Sequence, residues 1–229
     1  MTPSKQVTVL LAEDHLIVLE GLKAFLELED DIEVVAEAEN GRRAVELTRK
    51  LHPAVVVMDI AMPLLNGLEA ARQILRIMPA TRVLFLSAHG DDAYVKRAMA
   101  LGAAGYLVKL VDSHALSYAI REVHKGNTIL GATVSRRFHH HERKAHDRGE
   151  LPPKKDASHL TSRETEVLQL IAEGKASKQA AEELHISVKT VEKHRQSLMG
   201  KLNIHDIASL TRHAISEGII ESRVQVSVV

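Results

Sequence analysis

Residues 53–67 read PAVVVMDIAMPLLNG. Ala54–Met58 is an unbroken apolar run, opened by Pro53 and closed by an acid, Asp59. A strand that is apolar at every position must be covered on both faces, the signature of a parallel sheet flanked by helices. Similar runs stand at Val7–Ala12, Val34–Ala38, Val83–Leu86 and Ala104–Val108. Between them apolar residues recur at helical spacing, as at Ile17, Val18, Leu22 and Phe25, or Leu68, Ala71, Ile74 and Leu75. Pro53 and Pro79 close two of these helices, and Gly102 and Gly126 two others. Five strand–helix units predict a doubly wound α/β domain with a five-stranded parallel sheet over residues 1–126.

Residues 127–157 break that pattern. They carry His139, His140, His141, His146, Pro152, Pro153 and many charges, and read as a solvated linker with a helical start near Val134–Phe138. From Leu160 the pattern is all helical. Thr161 with Glu164 forms a capping box, and Gly174 ends that helix. Ser177 is read as the cap of a short helix to Leu184, Ser187 as the cap of one from Val188 to Leu202, and Asp206 as the cap of a fourth. Residues 158–222 thus form a smaller all-α, four-helix domain, and residues 223–229 a tail.

The chain has 229 residues, a length suited to two domains. It lacks Cys, which excludes disulfide frameworks and thiolate metal sites or nucleophiles. It lacks Trp and has three Phe and three Tyr, too few for recognition by aromatic stacking. No apolar run approaches membrane-spanning length, and a cytoplasmic location is expected. Lys+Arg and Asp+Glu both total 30, so the formal charge is zero. That zero is a cancellation. Residues 1–130 carry 14 basic and 17 acidic residues, residues 131–157 carry 7 and 4, and the rest 9 and 9.

In a doubly wound sheet, ligands sit beyond the carboxyl ends of the strands. Those ends hold Glu13-Asp14 after the first strand, Asp59 after the third, Ser87 after the fourth and Lys109 after the fifth. Three crowded carboxylates call for a cation, and Mg²⁺ is the usual hard, oxygen-loving choice beside a phosphoryl group. A lysine there supplies a point charge for a phosphoryl oxygen.

This set, with Met62-Pro63 and Gly67, resembles the receiver domain of two-component response regulators, a flavodoxin-like fold. The resemblance covers about residues 5–126. It implies that Asp59 accepts a phosphoryl group from the phosphohistidine of a sensor histidine kinase. Glu13, Asp14, Asp59 and the backbone carbonyl of Ala61 would hold Mg²⁺. Ser87 and Lys109 would bind phosphoryl oxygens, and Tyr106 would change orientation with Ser87. Leu110 replaces a proline common in that family. The run Glu13-Asp14-His15 with Gly21-Leu22 resembles the NarL/FixJ-type branch, which carries a LuxR-type DNA-binding domain.

The second domain bears this out at the level of motif. Helices Ser177–Leu184 and Val188–Leu202, joined by a tight turn, suggest a helix-turn-helix. The segment from Leu160 to Ile204 resembles the LuxR-type domain, through Leu160-Thr161, Glu164, Gly174, Ala181, Leu184, Ser187, Thr190-Val191, His194 and Lys201-Leu202. Within Val188–Leu202, Lys189, Lys193, Arg195 and Lys201 face a single acid, Glu192. Only the helix entering a DNA groove need be positive. Val188, Lys189 and Lys193 lie near its start as base readers, while Thr190, His194, Arg195 and Lys201 are assigned to phosphates or packing. In the last helix, Ile207, Leu210 and Ala214 have the spacing of a dimer contact.

The expected function is a phosphorylation-controlled transcription regulator, binding paired half-sites as a homodimer. It is not expected to be a turnover enzyme: haloacid-dehalogenase phosphatases need an acid two residues past the nucleophile, where this chain has Ala61. A slow aspartyl phosphatase and a relay module with a protein-binding helical domain are the other classes. The linker histidines lack the spacing of a zincin helix.

Overall fold

The computed structural model describes residues 6–88, 90–132, 134–135 and 160–220. The chain folds as two compact units.

The first unit alternates strands and helices: β1 (Val7–Ala12), α1 (Leu16–Leu26), β2 (Ile32–Ala38), α2 (Gly41–Leu51), β3 (Val55–Met58), α3 (Gly67–Ile77), β4 (Arg82–Ser87), α4 (Asp92–Ala100), β5 (Gly105–Val108), α5 (Ser113–His124) and β6 (Ile129–Leu130). All strand pairings are parallel, in the order β2-β1-β3-β4-β5-β6. The apolar strands are buried as a two-sided sheet requires. Val9, Leu11, Val55, Val57, Leu84, Leu86 and Leu107 share one core with Leu19 and Leu26 of α1 and Leu116, Ile120 and Val123 of α5. The alternate residues Leu10, Val56, Met58, Phe85 and Tyr106 are equally buried, on the other face.

The sheet has six strands, not the five expected. The sixth lies at the start of the region read as linker. Two residues carry no periodicity to read. They pair with β5 because β5 offers a free edge and because Gly105 lets the chain approach: a Cβ there would stand 2.7 Å from Ile129 O and 2.8 Å from Leu84 Cδ1. Gly102 and Gly126 end their helices with φ of +91° and +96°, conformations that glycine adopts without strain. Val134 and Ser135 have helical backbone; the remainder of that expected helix, the linker histidines and the tail lie outside the described residues.

The second unit contains α6 (Ser162–Ala172), α7 (Ser177–Leu184), α8 (Val188–Leu202) and α9 (Ile207–Ser216). The capping box is present: Thr161 N–H donates to Glu164 Oε2 at 2.7 Å and Glu164 N–H to Thr161 Oγ1 at 3.3 Å. Ser187 and Asp206 cap α8 and α9. Ser177 does not cap α7. The cap position is Ala176, whose N–H is taken by Gln179 Oε1 at 2.9 Å, a side-chain acceptor reaching back from the third helical residue. Leu168, Ile171, Ala181, Leu184, Val191, Leu198, Leu210 and Ala214 form the core. No helix among the described residues is long and apolar enough to cross a membrane.

Candidate functional site

The order of strands reverses between β1 and β3, the place where an open parallel sheet leaves a crevice at its carboxyl edge. Glu13 and Asp14 follow β1 there and Asp59 follows β3, with Asp59 N–H donating to Ala12 O at 2.9 Å. Lys109, just past β5, reaches across both. Its Nζ donates to Asp59 Oδ2 at 2.8 Å and lies 2.7 Å from Glu13 Oε2. Asp59 and Glu13 are 4% and 2% exposed, so these charges interact with little solvent screening. Burial pushes the Asp59 carboxyl above its usual range, and Lys109 only partly offsets it. Burial works against the Lys109 ammonium too, yet Asp59 and Glu13 outweigh it and hold the lysine above its ordinary value.

His15 Nδ1 stands 3.0 Å from both Glu13 Oε1 and Asp14 Oδ1. One ligand atom each from Glu13, Asp14, His15 and Asp59 lies within 4.8 Å of the others. This carboxylate-rich donor set, with a lysine ammonium already drawn between two of its members, suits a divalent cation. Ala61 follows two residues after Asp59 and is buried. The loop it belongs to is pinned by Gly67, whose N–H donates to Ile60 O at 2.8 Å. A Cβ on Gly67 would lie 1.9 Å from Asp59 O, so the loop closes over Asp59 only with glycine there.

Ser87 and Tyr106 are fully buried at the neighbouring strands. Lys109 N–H donates to Ser87 O at 2.8 Å, joining the two strand ends. Burial raises the Tyr106 phenol to about 12, against a hydrogen bond with Ser87 that works the other way. The two groups are therefore in direct contact. Tyr106 also packs on Phe85, ring centroids 6.1 Å apart. Leu110 is 94% exposed in the turn that follows Lys109.

In the helical unit, α7 and α8 are joined by His185, Ile186 and Ser187, with His185 in the left-handed region at φ +52°. Val188, Lys189 and Lys193 are exposed, and Thr190, His194 and Arg195 half-exposed. Val191 and Leu198 point into the core. Lys201 is engaged elsewhere: its Nζ donates to Glu164 Oε2 at 2.7 Å, and Ser197 Oγ donates to Glu164 Oε1 at 2.7 Å. Burial opposes the Glu164 charge, but Lys201, Ser197 and Thr161 together bring the carboxyl down to about 2.

Residues 9–121 match the family model of the response regulator receiver domain, and residues 158–214 that of bacterial regulatory proteins of the luxR family. The chain is 36% identical over 228 residues to the transcriptional regulatory protein DegU of Brevibacillus brevis, covering 95% of this chain and 97% of DegU. The chain belongs to the response regulators. It is also 38% identical to LiaR of Bacillus subtilis, over 87% of this chain and 92% of LiaR. Among solved structures, two RcsB dimers bound to two parallel DNAs give a TM-score of 0.56 at 27% identity, over 93% of this chain and 99% of RcsB.

For this response regulator, sequence reasoning overlooked two participants. His15 joins the strand-end acids, and its position directly after Asp14 was the available signal. Glu164 was read only as a cap; its partners lie 33 and 37 residues away, beyond any local spacing rule. The expected dimer contact needs correction. Leu210 and Ala214 are fully buried, because their spacing with Ile207 traces the inward stripe of α9. Ile207 itself is 52% exposed.

Proposed function

We propose that this chain stores a phosphoryl group on Asp59 and thereby controls promoter binding by its helical unit. The observation that carries the reading is Lys109 Nζ held between Asp59 and Glu13 at the carboxyl edge of the sheet. The domain extents read from the sequence are 1–126 for the receiver, 127–157 for the linker, 158–222 for the DNA-binding domain and 223–229 for the tail, with β6 carrying the receiver sheet on to Leu130.

Asp59 is the nucleophile. Its oxygen bonds to phosphorus as the P–N bond of a sensor histidine kinase's phosphohistidine breaks. Lys109 leaves its carboxylate partners to meet a phosphoryl oxygen, and the Ser87 hydroxyl meets another. Glu13, Asp14, Asp59 and the Ala61 carbonyl would hold Mg²⁺, which when bound would supply charge neutralisation for the transferring group. With Ala61 where a phosphatase needs an acid, the chain stores the acyl phosphate rather than turning it over. Leu16 and Ile17 at the start of α1 and Leu110 beside Lys109, all exposed, give the kinase an apolar rim to dock on.

Recruitment of Ser87 breaks its contact with Tyr106, so the buried ring loses its reason to stay inward. That coupling passes the signal to the α4–β5 face. On the output side, Val188, Lys189 and Lys193 read base edges of duplex DNA, with Thr190, His194 and Arg195 on phosphates. The chain acts in the cytoplasm. It pairs through the exposed side of α9, Ile207 included, so that two copies meet two half-sites, in keeping with the dimeric DNA complex of RcsB.

Genome-wide footprinting with and without a phosphodonor tests this reading. Discrete sites whose occupancy rises with the donor in wild type, and not in Asp59→Asn, are expected. Occupancy independent of both donor and Asp59 refutes it.

A further inference from the structure

Fifteen residues form α8, yet only Val191 and Leu198 are buried. At about 100° per residue these two lie almost on one line along the helix. Half-buried Leu202 lies close to the same line, and half-buried Met199 packs about 80–100° to one side of it, so apolar packing limits rolling toward that side and leaves the other side weakly held. Lys201 lies about 60–80° round the helix from both seats. Its bond to Glu164, with that of Ser197 one turn earlier, adds an off-line attachment to α6. Glu164 is well placed to anchor: it is 3% exposed and itself held by the Thr161 cap, so it cannot swing to follow a moving partner.

The row that carries the lysines of α8 shows the same geometry from outside. Lys189, Lys193, Ser197 and Lys201 are spaced by four, so the row advances about 40° per step. All four are exposed, but only the last two reach Glu164, Ser197 through its hydroxyl and Lys201 through its ammonium.

We propose that Glu164 is a positioning residue for DNA recognition. It neutralises Lys201 within the helical unit and sets the roll of α8, so that Lys189 and Lys193 face the groove while Lys201 is withheld from the phosphates. The inference rests on α8 being the DNA-reading helix.

The two can be tested separately with the full chain and a duplex it selects from a random-sequence pool. Affinity is measured across a salt series. Each phosphate contact contributes about 0.9 to the slope of log affinity against log salt. Lys201→Met is expected to bind about tenfold more weakly at every salt concentration, the cost of one lost base contact, with the slope unchanged. Glu164→Gln, which keeps the lysine charge, should lose a similar factor, and Lys201→Arg should restore binding. Ser197→Ala, which leaves the ion pair intact, covers the case of a poorly folded lysine variant and should show a smaller loss with unchanged slope. A slope lower by about 0.9 in Lys201→Met, or wild-type affinity in both Glu164→Gln and Ser197→Ala, overturns the proposal. Failure to select any duplex refutes instead the DNA-binding reading beneath it.

Discussion

Lys109 and Asp59 are joined by a 2.8 Å charge-assisted hydrogen bond although 50 residues separate them in the chain. The bond spans β3 and β5, with β4 between, and exists because the three strands end at one edge of a parallel sheet. In Lys109→Met the Asp59 carboxylate would lose its chief compensating charge. We expect acyl-phosphate formation from a small phosphodonor to fall at least tenfold, read by mobility shift of the phosphorylated chain. Undiminished labelling would remove Lys109 from the reaction.

Asp59→Asn should abolish labelling altogether. It should also raise the melting temperature in metal-free buffer, because burial makes the ionised carboxylate unfavourable beside Glu13 and Asp14. Labelling at normal stoichiometry, or a lower melting temperature, counts against this account of the site.

Gly67→Ala places a methyl group 1.9 Å from the Asp59 carbonyl oxygen, well inside contact distance. Backbone must move to relieve it. A stability loss of about 3 kcal/mol is expected, with impaired phosphorylation because the displaced residue is the proposed nucleophile. Chemical denaturation measures the first effect and phosphodonor labelling the second.

Lys189→Ala with Lys193→Ala should reduce the salt slope of DNA binding by up to about 1.8, if both ammonium groups neutralise phosphate as well as reach bases. Phosphorylation of Asp59 should be unaffected. Unchanged gel shifts would move the reading surface away from the start of α8.

Glu164 predicts a pH dependence. Its carboxyl falls from an ordinary 4.5 to about 2 in the folded chain. A lowered carboxyl stabilises the fold fully above the unfolded value and loses that contribution as pH falls toward the folded one. The helical unit should therefore weaken between about pH 5 and pH 2, by on the order of 2 kcal/mol given the partly exposed lysine partner. Glu164→Gln should flatten this part of an acid titration followed by circular dichroism. An identical acid midpoint in both chains would contradict it.

Much of this was legible in the residue order. The inner strands β1, β3, β4 and β5 carry consecutive apolar residues because both faces of the sheet are covered, and a run such as Ala54–Met58 cannot be mistaken for a surface strand; the edge strand β2, with Glu33 and Glu37, is only half-buried. The strand-end acids, Ser87 and Lys109 could be found because topology forces strand ends together. Caps such as Thr161, Ser187 and Asp206 were visible because a cap is a local hydrogen bond between residues three apart.

What stayed hidden depended on distance or on which side of an element faces inward. β6 is two residues long, and its pairing is created by the open edge of β5 and the missing side chain of Gly105. The Ile207–Leu210–Ala214 spacing is the same whether a stripe meets a partner or its own core; only the packed helices show that Leu210 and Ala214 are inside. Sequence alone determined the order of the five main strands and the helices between them, the chemical groups at the sheet edge and the positive helix, since these follow from local periodicity and connectivity. Tertiary structure alone decided that Lys201 is held by a buried Glu164 and that Ser87 touches Tyr106, because charges and hydroxyls choose partners by proximity in space, which the chain's order does not record.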